Sequence, residues 1–126
     1  MTLDFWRALG VTTGVFVAYM MVGYLIDPTG AYVTVSSNIM LTLASAAILA
    51  VFSFAYFSTP TLRPSARHGL ELAAFMFLLF LAIGFVGAAL YPLPYEPVPY
   101  EMAFWAASIV ISLGTPTLVG WYMGKR

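Results

Sequence analysis

The sequence predicts an all-α, polytopic membrane protein with four transmembrane helices in two hairpins and both termini cytoplasmic. Three observations lead there. Hydrophobic residues make up 62% of the 126 positions and charged ones only 8%, against roughly a quarter charged in soluble domains. Such a chain has too little polar surface to be covered by water. Four apolar windows of about 20 residues, the length that crosses hydrocarbon, can be laid down with short polar breaks between them. Arg7, Arg63, Arg67, Lys125 and Arg126 all fall at one set of expected helix ends, whereas the other set carries Asp27, Glu96 and Glu101 and no basic residue. Cations on short loops resist translocation, so the basic side is expected to be cytoplasmic. A single domain, residues 1–126, follows.

The first helix is expected over about residues 5–26. Asp4 precedes it and no small-x-small cleavage signal follows, so the segment reads as a retained span and not a signal peptide. Asp27-Pro28-Thr29-Gly30 ends it, because proline sets φ and glycine admits a positive one. The second helix is expected over 39–57, with Ser36, Ser37 and Asn38 offering capping oxygens and Pro60 and Pro64 closing it. A polar island, residues 58–71, then divides the chain into two apolar halves. Within it Ser65 suits the cap of a third helix whose apolar body runs over 70–91, ahead of Pro92, Pro94, Pro97 and Pro99. The fourth helix is expected over 102–123, with a kink at Gly114 and Pro116, since proline cannot donate to the Ser112 carbonyl. Phe5, Trp6, Tyr56, Phe57, Trp121 and Tyr122 fall at the inner interface. Tyr24, Tyr32, Tyr91, Tyr95, Tyr100 and Trp105 fall at the outer one, the depth that amphipathic rings prefer.

The inventory argues against several kinds of chemistry. A formal net charge of zero gives no basic field for nucleic acid. The absence of cysteine removes disulfides, thiolate metal sites and thiol redox chemistry. No ionisable side chain is expected within the hydrocarbon depth of any helix, where pumps and ion-coupled transporters need groups that change charge. The single histidine, His68, has no second histidine, cysteine or carboxylate cluster beside it, so neither a metal nor any other cofactor is expected. Catalysis is not expected either, as the only acid–base candidates are His68 and Glu71 at the inner interface.

Five groups of residues remain as candidate sites. Gly10, Gly14 and Ala18 repeat every four residues on one face of the first helix. With Gly84, Gly87, Gly120 and Gly124 they offer places where another backbone can approach closely. Counting depth at 1.5 Å per residue puts Tyr19, Ser45 and Ser108 at one level, with Ser112 a turn below, so these form a candidate polar layer. Arg63, Arg67, His68 and Glu71 form an inner-interface cluster in which His68 and Glu71, three apart, are expected to be surface neighbours and His68 to be solvated or bound to lipid phosphate. In the outer loop, Pro-Leu-Pro-Tyr95-Glu96 is followed by Pro-Val-Pro-Tyr100-Glu101, an extended strap that presents tyrosine and glutamate twice. The expected role is that of a non-catalytic integral subunit in a plasma or bacterial inner membrane. It would pack against a larger membrane complex or its own copies through the small-residue faces and the strap, with lipids as its other partners. The alternative is a small transporter or channel for a neutral or apolar solute, using the polar layer and the Pro116 bend.

Overall fold

The computed structural model describes residues 3–28, 34–91 and 100–125. They form four helices in the order α1 (Phe5–Ile26), α2 (Val35–Phe57), α3 (Ala66–Leu90) and α4 (Glu101–Gly124). With 22 to 25 residues each, the helices are about 33 to 38 Å long, enough to cross a hydrocarbon core of about 30 Å. All four are long and apolar enough to span a membrane.

Local chemistry explains where the helices begin. Asp4 caps α1, its Oδ1 accepting the Arg7 N–H at 3.3 Å, and Ser65 caps α3, its Oγ accepting the His68 N–H at 3.0 Å. α2 starts at Val35, four residues before the expected Ile39, because the cap is Thr34. Its Oγ1 accepts the Ser37 N–H at 3.1 Å and donates to Ser37 Oγ at 2.7 Å, while the Asn38 amide donates to the Thr34 carbonyl at 2.9 Å. Ser36, Ser37 and Asn38, expected as caps, therefore occupy the first turn. Tyr100 precedes α4 in the left-handed conformation, φ 59°, with no side-chain cap. α4 runs on unbroken through Gly114 and Pro116. Beside the missing proline donor, the Thr117 hydroxyl bonds the Leu113 carbonyl at 2.7 Å. Residues 92–99 of the strap, Tyr95 and Glu96 among them, lie outside the described residues.

α4 lies against both α3 and α2, and α1 lies against α2 with a lighter contact to α3. The core, formed by Ala8, Val15, Leu49, Tyr56, Phe57, Leu72, Met76 and Val119, sits in the half of the bundle nearest Arg7, Arg63, Arg67 and Lys125. Tyr56 and Phe57, expected in the interfacial belt, are buried there, packed edge-to-face against each other and against His68. Trp6, Trp121 and Tyr122 stay exposed, and the Lys125 ammonium sits 4.7 Å from the Trp121 ring centroid.

The closest approach joins α3 to α4. A Cβ on Gly69 would collide with the Pro116 carbonyl oxygen and come within 2.8 Å of Thr117 Cα. One on Gly120 would collide with the Ser65 carbonyl oxygen and come within 3.1 Å of Gly69 Cα. Two backbones touch there, which only glycine permits. Among the described residues the opposite end is open. No residue of α3 beyond Met76 is buried, and from Leu81 to Tyr91 every residue but the half-covered Gly87 is exposed; α4 has no buried residue from Glu101 to Thr115.

Candidate functional site

Two polar constellations stand out against the apolar helices. The first lies at the basic end and joins four segments. The Asp4 N–H donates to the Tyr56 hydroxyl oxygen at 3.0 Å, Tyr56 and His68 Nε2 are 2.7 Å apart, and His68 Nδ1 is 3.2 Å from the Arg63 carbonyl oxygen. A carbonyl only accepts, so Nδ1–H donates to Arg63, and in that tautomer Nε2 accepts from the Tyr56 O–H. The resulting chain runs from the α1 cap through the end of α2 to the start of α3 and back to the loop before it. Tyr56 is 0% and His68 2% exposed, so each bond satisfies a group that has little access to water.

This arrangement corrects the expected inner cluster. His68 does not pair with Glu71 at the surface; it turns into the bundle, where the Tyr56 hydroxyl and the Phe57 ring receive it. Arg67 instead reaches Glu71, Nε to Oε1 3.8 Å, with the arginine largely in solvent. An i,i+4 pair with one partner in solvent is worth a few tenths of a kcal/mol, about 0.3 to 0.5. Arg63 contributes its main-chain carbonyl to His68. Tyr56, absent from the sequence-based site, was legible only as one of many interfacial tyrosines. The physical signal for it is that a histidine buried in a bundle needs a hydrogen-bond partner.

The second constellation is a cavity of about 260 Å³ between the helices. α1 contributes Val15, Phe16 and Tyr19; α2 contributes Thr42, Ser45, Ile48 and Leu49; α3 contributes Phe80; and α4 contributes Ser108, Ile111 and Ser112. All four residues of the expected polar layer, Tyr19, Ser45, Ser108 and Ser112, thus line one space. Ser45 donates to the Leu41 carbonyl at 2.8 Å and Thr42 to the Asn38 carbonyl at 2.7 Å. Phe16 and Phe80, with ring centroids 6.3 Å apart, meet across it from α1 and α3. Val15 and Leu49 belong also to the packed core, so the cavity rests on the closed half of the bundle.

The small residues divide in two. Gly14 lies against the Phe52 ring, where an added Cβ would come within 2.5 Å, and Gly120 and Gly124 lie against the backbone around Pro64 and Ser65. Gly10, Gly84, Gly87 and Gly114 would have nothing within 4 Å of such a Cβ, and Ala18 is half-buried. Gly69, the tightest contact, was not among the expected packing positions because it sits in the polar island. Among the described residues no three His, Cys, Asp or Glu side chains are grouped to hold a metal ion.

The molecule is of a coarse class: an all-helical chain with four helices fit to cross a membrane, closed at one end and hollow at mid-length. It matches no family profile, no curated protein and no solved structure.

Proposed function

We propose that the chain is a non-catalytic integral subunit of a membrane assembly, arranged as two transmembrane hairpins with both termini in the cytoplasm, and that it meets its partner through the uncovered half of α3. The supporting observation is a contrast within that one helix. At the basic end Gly69 is filled in by the backbone of α4, whereas Gly84 and Gly87 lie in three turns exposed on nearly every side. A helix-interior glycine costs about 1 kcal/mol relative to alanine. Between membrane helices that cost is offset by close backbone approach and dispersion contacts, because lipid supplies no hydrophobic drive. Among the described residues the offset exists for Gly69 and not for Gly84 or Gly87, so a helix from a second copy or another subunit is the natural source of it. A structural role also suits His68, both of whose ring nitrogens are engaged in holding the basic end together. The orientation rests on the sequence alone, in which Arg7, Arg63, Arg67, Lys125 and Arg126 fall at one set of expected helix ends. The plasma membrane or a bacterial inner membrane is the corresponding location.

Purification in a gentle detergent followed by native mass spectrometry tests this. Foreign subunits in fixed ratio, or a defined homo-oligomer, are expected, and replacing Gly84 and Gly87 together with leucine should release the single chain without lowering its thermal stability. A bare monomer from the wild-type chain would end the reading. A second reading, passage of a small neutral solute, is favoured by the mid-length cavity, and would require the closed half to open.

A further inference from the structure

We propose that the cavity between α1, α2 and α4 is a binding site for one small, neutral amphiphile whose polar group donates a hydrogen bond, that is, a phenol or an alcohol. This does not depend on the assembly reading.

Size sets the first limit. An apolar cavity of about 150 Å³ takes up benzene, so a space of about 260 Å³ holds a single ring with a short substituent or a chain of similar bulk. A phospholipid does not fit. Charge sets the second limit. None of the lining residues is an acid, a lysine, an arginine or a histidine, so a charged ligand would be stripped of water with no counter-ion to replace it. The ligand is therefore neutral.

The direction of the hydrogen bonds sets the third limit. On the α2 wall Thr42 and Ser45 have each given their only hydroxyl proton to their own helix, to the Asn38 and Leu41 carbonyls. What remains for an occupant is lone pairs, since a hydroxyl has one proton and two acceptor sites. On the α4 wall Ser108 and Ser112 add hydroxyls, each able to donate as well as accept. Polar groups thus line opposite walls, with only acceptors left on α2, in a space otherwise bounded by Val15, Phe16, Ile48, Leu49, Phe80 and Ile111. A ring or short chain fills the apolar part, and an O–H supplies the donor that the α2 wall lacks while still accepting from the α4 hydroxyls. Hydrocarbons of equal size satisfy the first demand and fail the second, and ketones and ethers can engage only the α4 hydroxyls.

The test uses the full chain in lipid nanodiscs and fluorine NMR of three probes of nearly equal size, para-fluorophenol, fluorobenzene and para-fluorobenzoate, with empty nanodiscs as the partitioning control. Saturable, protein-dependent binding of the phenol is expected. Binding of fluorobenzene should be about tenfold weaker, the usual consequence of leaving a buried polar group unpaired, with none above control for the benzoate. Ser108→Phe should fill the space and abolish phenol binding. Should that variant fail to fold, Thr42→Val with Ser45→Ala keeps the volume nearly unchanged and should remove most of the preference for phenol over fluorobenzene. The proposal is overturned by phenol uptake no greater than in empty nanodiscs, which would mean that the cavity holds only water. Equal binding of phenol and fluorobenzene by the wild type, or a phenol preference undiminished by the α2 double substitution, would overturn it as well.

Discussion

Tyr56→Phe isolates what holds the basic end of the bundle together. The substitution keeps the ring, and with it the edge-to-face contacts to Phe57 and His68 at centroid distances of 5.0 and 5.3 Å. It removes one oxygen that serves two partners. The Asp4 N–H loses its acceptor at 3.0 Å and His68 Nε2 loses its donor at 2.7 Å. A buried polar group left unpaired costs about 1 to 3 kcal/mol. The Asp4 bond is partly and the His68 bond fully buried, so the first loss belongs at the low end of that range. The sum is about 2 to 4 kcal/mol. His68→Leu should cost a similar amount, because it strands the Tyr56 hydroxyl proton and the Arg63 carbonyl. In the double variant the stranded Tyr56 and His68 groups are both gone, and removing both partners of a buried bond comes close to neutral. The cost should therefore fall short of the two single costs combined by about 1 kcal/mol or more, within the range of measured couplings. Reversible unfolding in mixed micelles, followed by tryptophan fluorescence, measures all four corners of the cycle. A Tyr56→Phe cost below about 0.5 kcal/mol, or strict additivity, would refute the argument that the Tyr56–His68 bond is a buried structural link.

Three further outcomes are expected. Gly69→Ala should destabilise by about 1 to 3 kcal/mol, as overpacking does, because its methyl group meets the Pro116 carbonyl and Thr117 Cα; Gly10→Ala, with nothing within 4 Å, should instead stabilise by about 0.5 to 1 kcal/mol, and the same micelle unfolding assay reads both signs. Ser65→Ala and Thr34→Ala each remove a cap worth about 1 kcal/mol, which should appear as faster hydrogen exchange at the His68 and Ser37 amides with the far ends of α3 and α2 unchanged. Compartment reporters fused in the polar island and in the Pro-Tyr-Glu strap should report opposite sides of the membrane, and the same side for both would remove the proposed orientation.

The sequence reads well in one direction, along the membrane normal, and poorly in the other, around each helix. Depth is a matter of counting, because the rise per residue is constant. Tyr19, Ser45 and Ser108 could be assigned a common level from the sequence, and all three line the cavity with Ser112. Azimuth was not legible. Helices apolar on every face carry little periodic contrast, and in hydrocarbon a leucine facing lipid and one facing a neighbour are chemically alike. This is why Gly120 could be named as a packing residue together with Gly84, although only the first touches another backbone. It is also why Tyr56 and Phe57 counted as interfacial rings.

By itself the sequence determined four apolar rods, the polar breaks between them, and the gathering of cations at one end, because span length and the cost of burying charge are local properties of composition. The tertiary structure alone decided that His68 turns inward to Tyr56, that α3 and α4 touch through Gly69 and Gly120, and that one half of the bundle closes while the other stays open. Those outcomes depend on which faces meet once the 58–65 loop reverses the chain. Residues 12 apart in sequence, such as Tyr56 and His68, become bonded partners only when that reversal brings two helix ends to the same level and the same side.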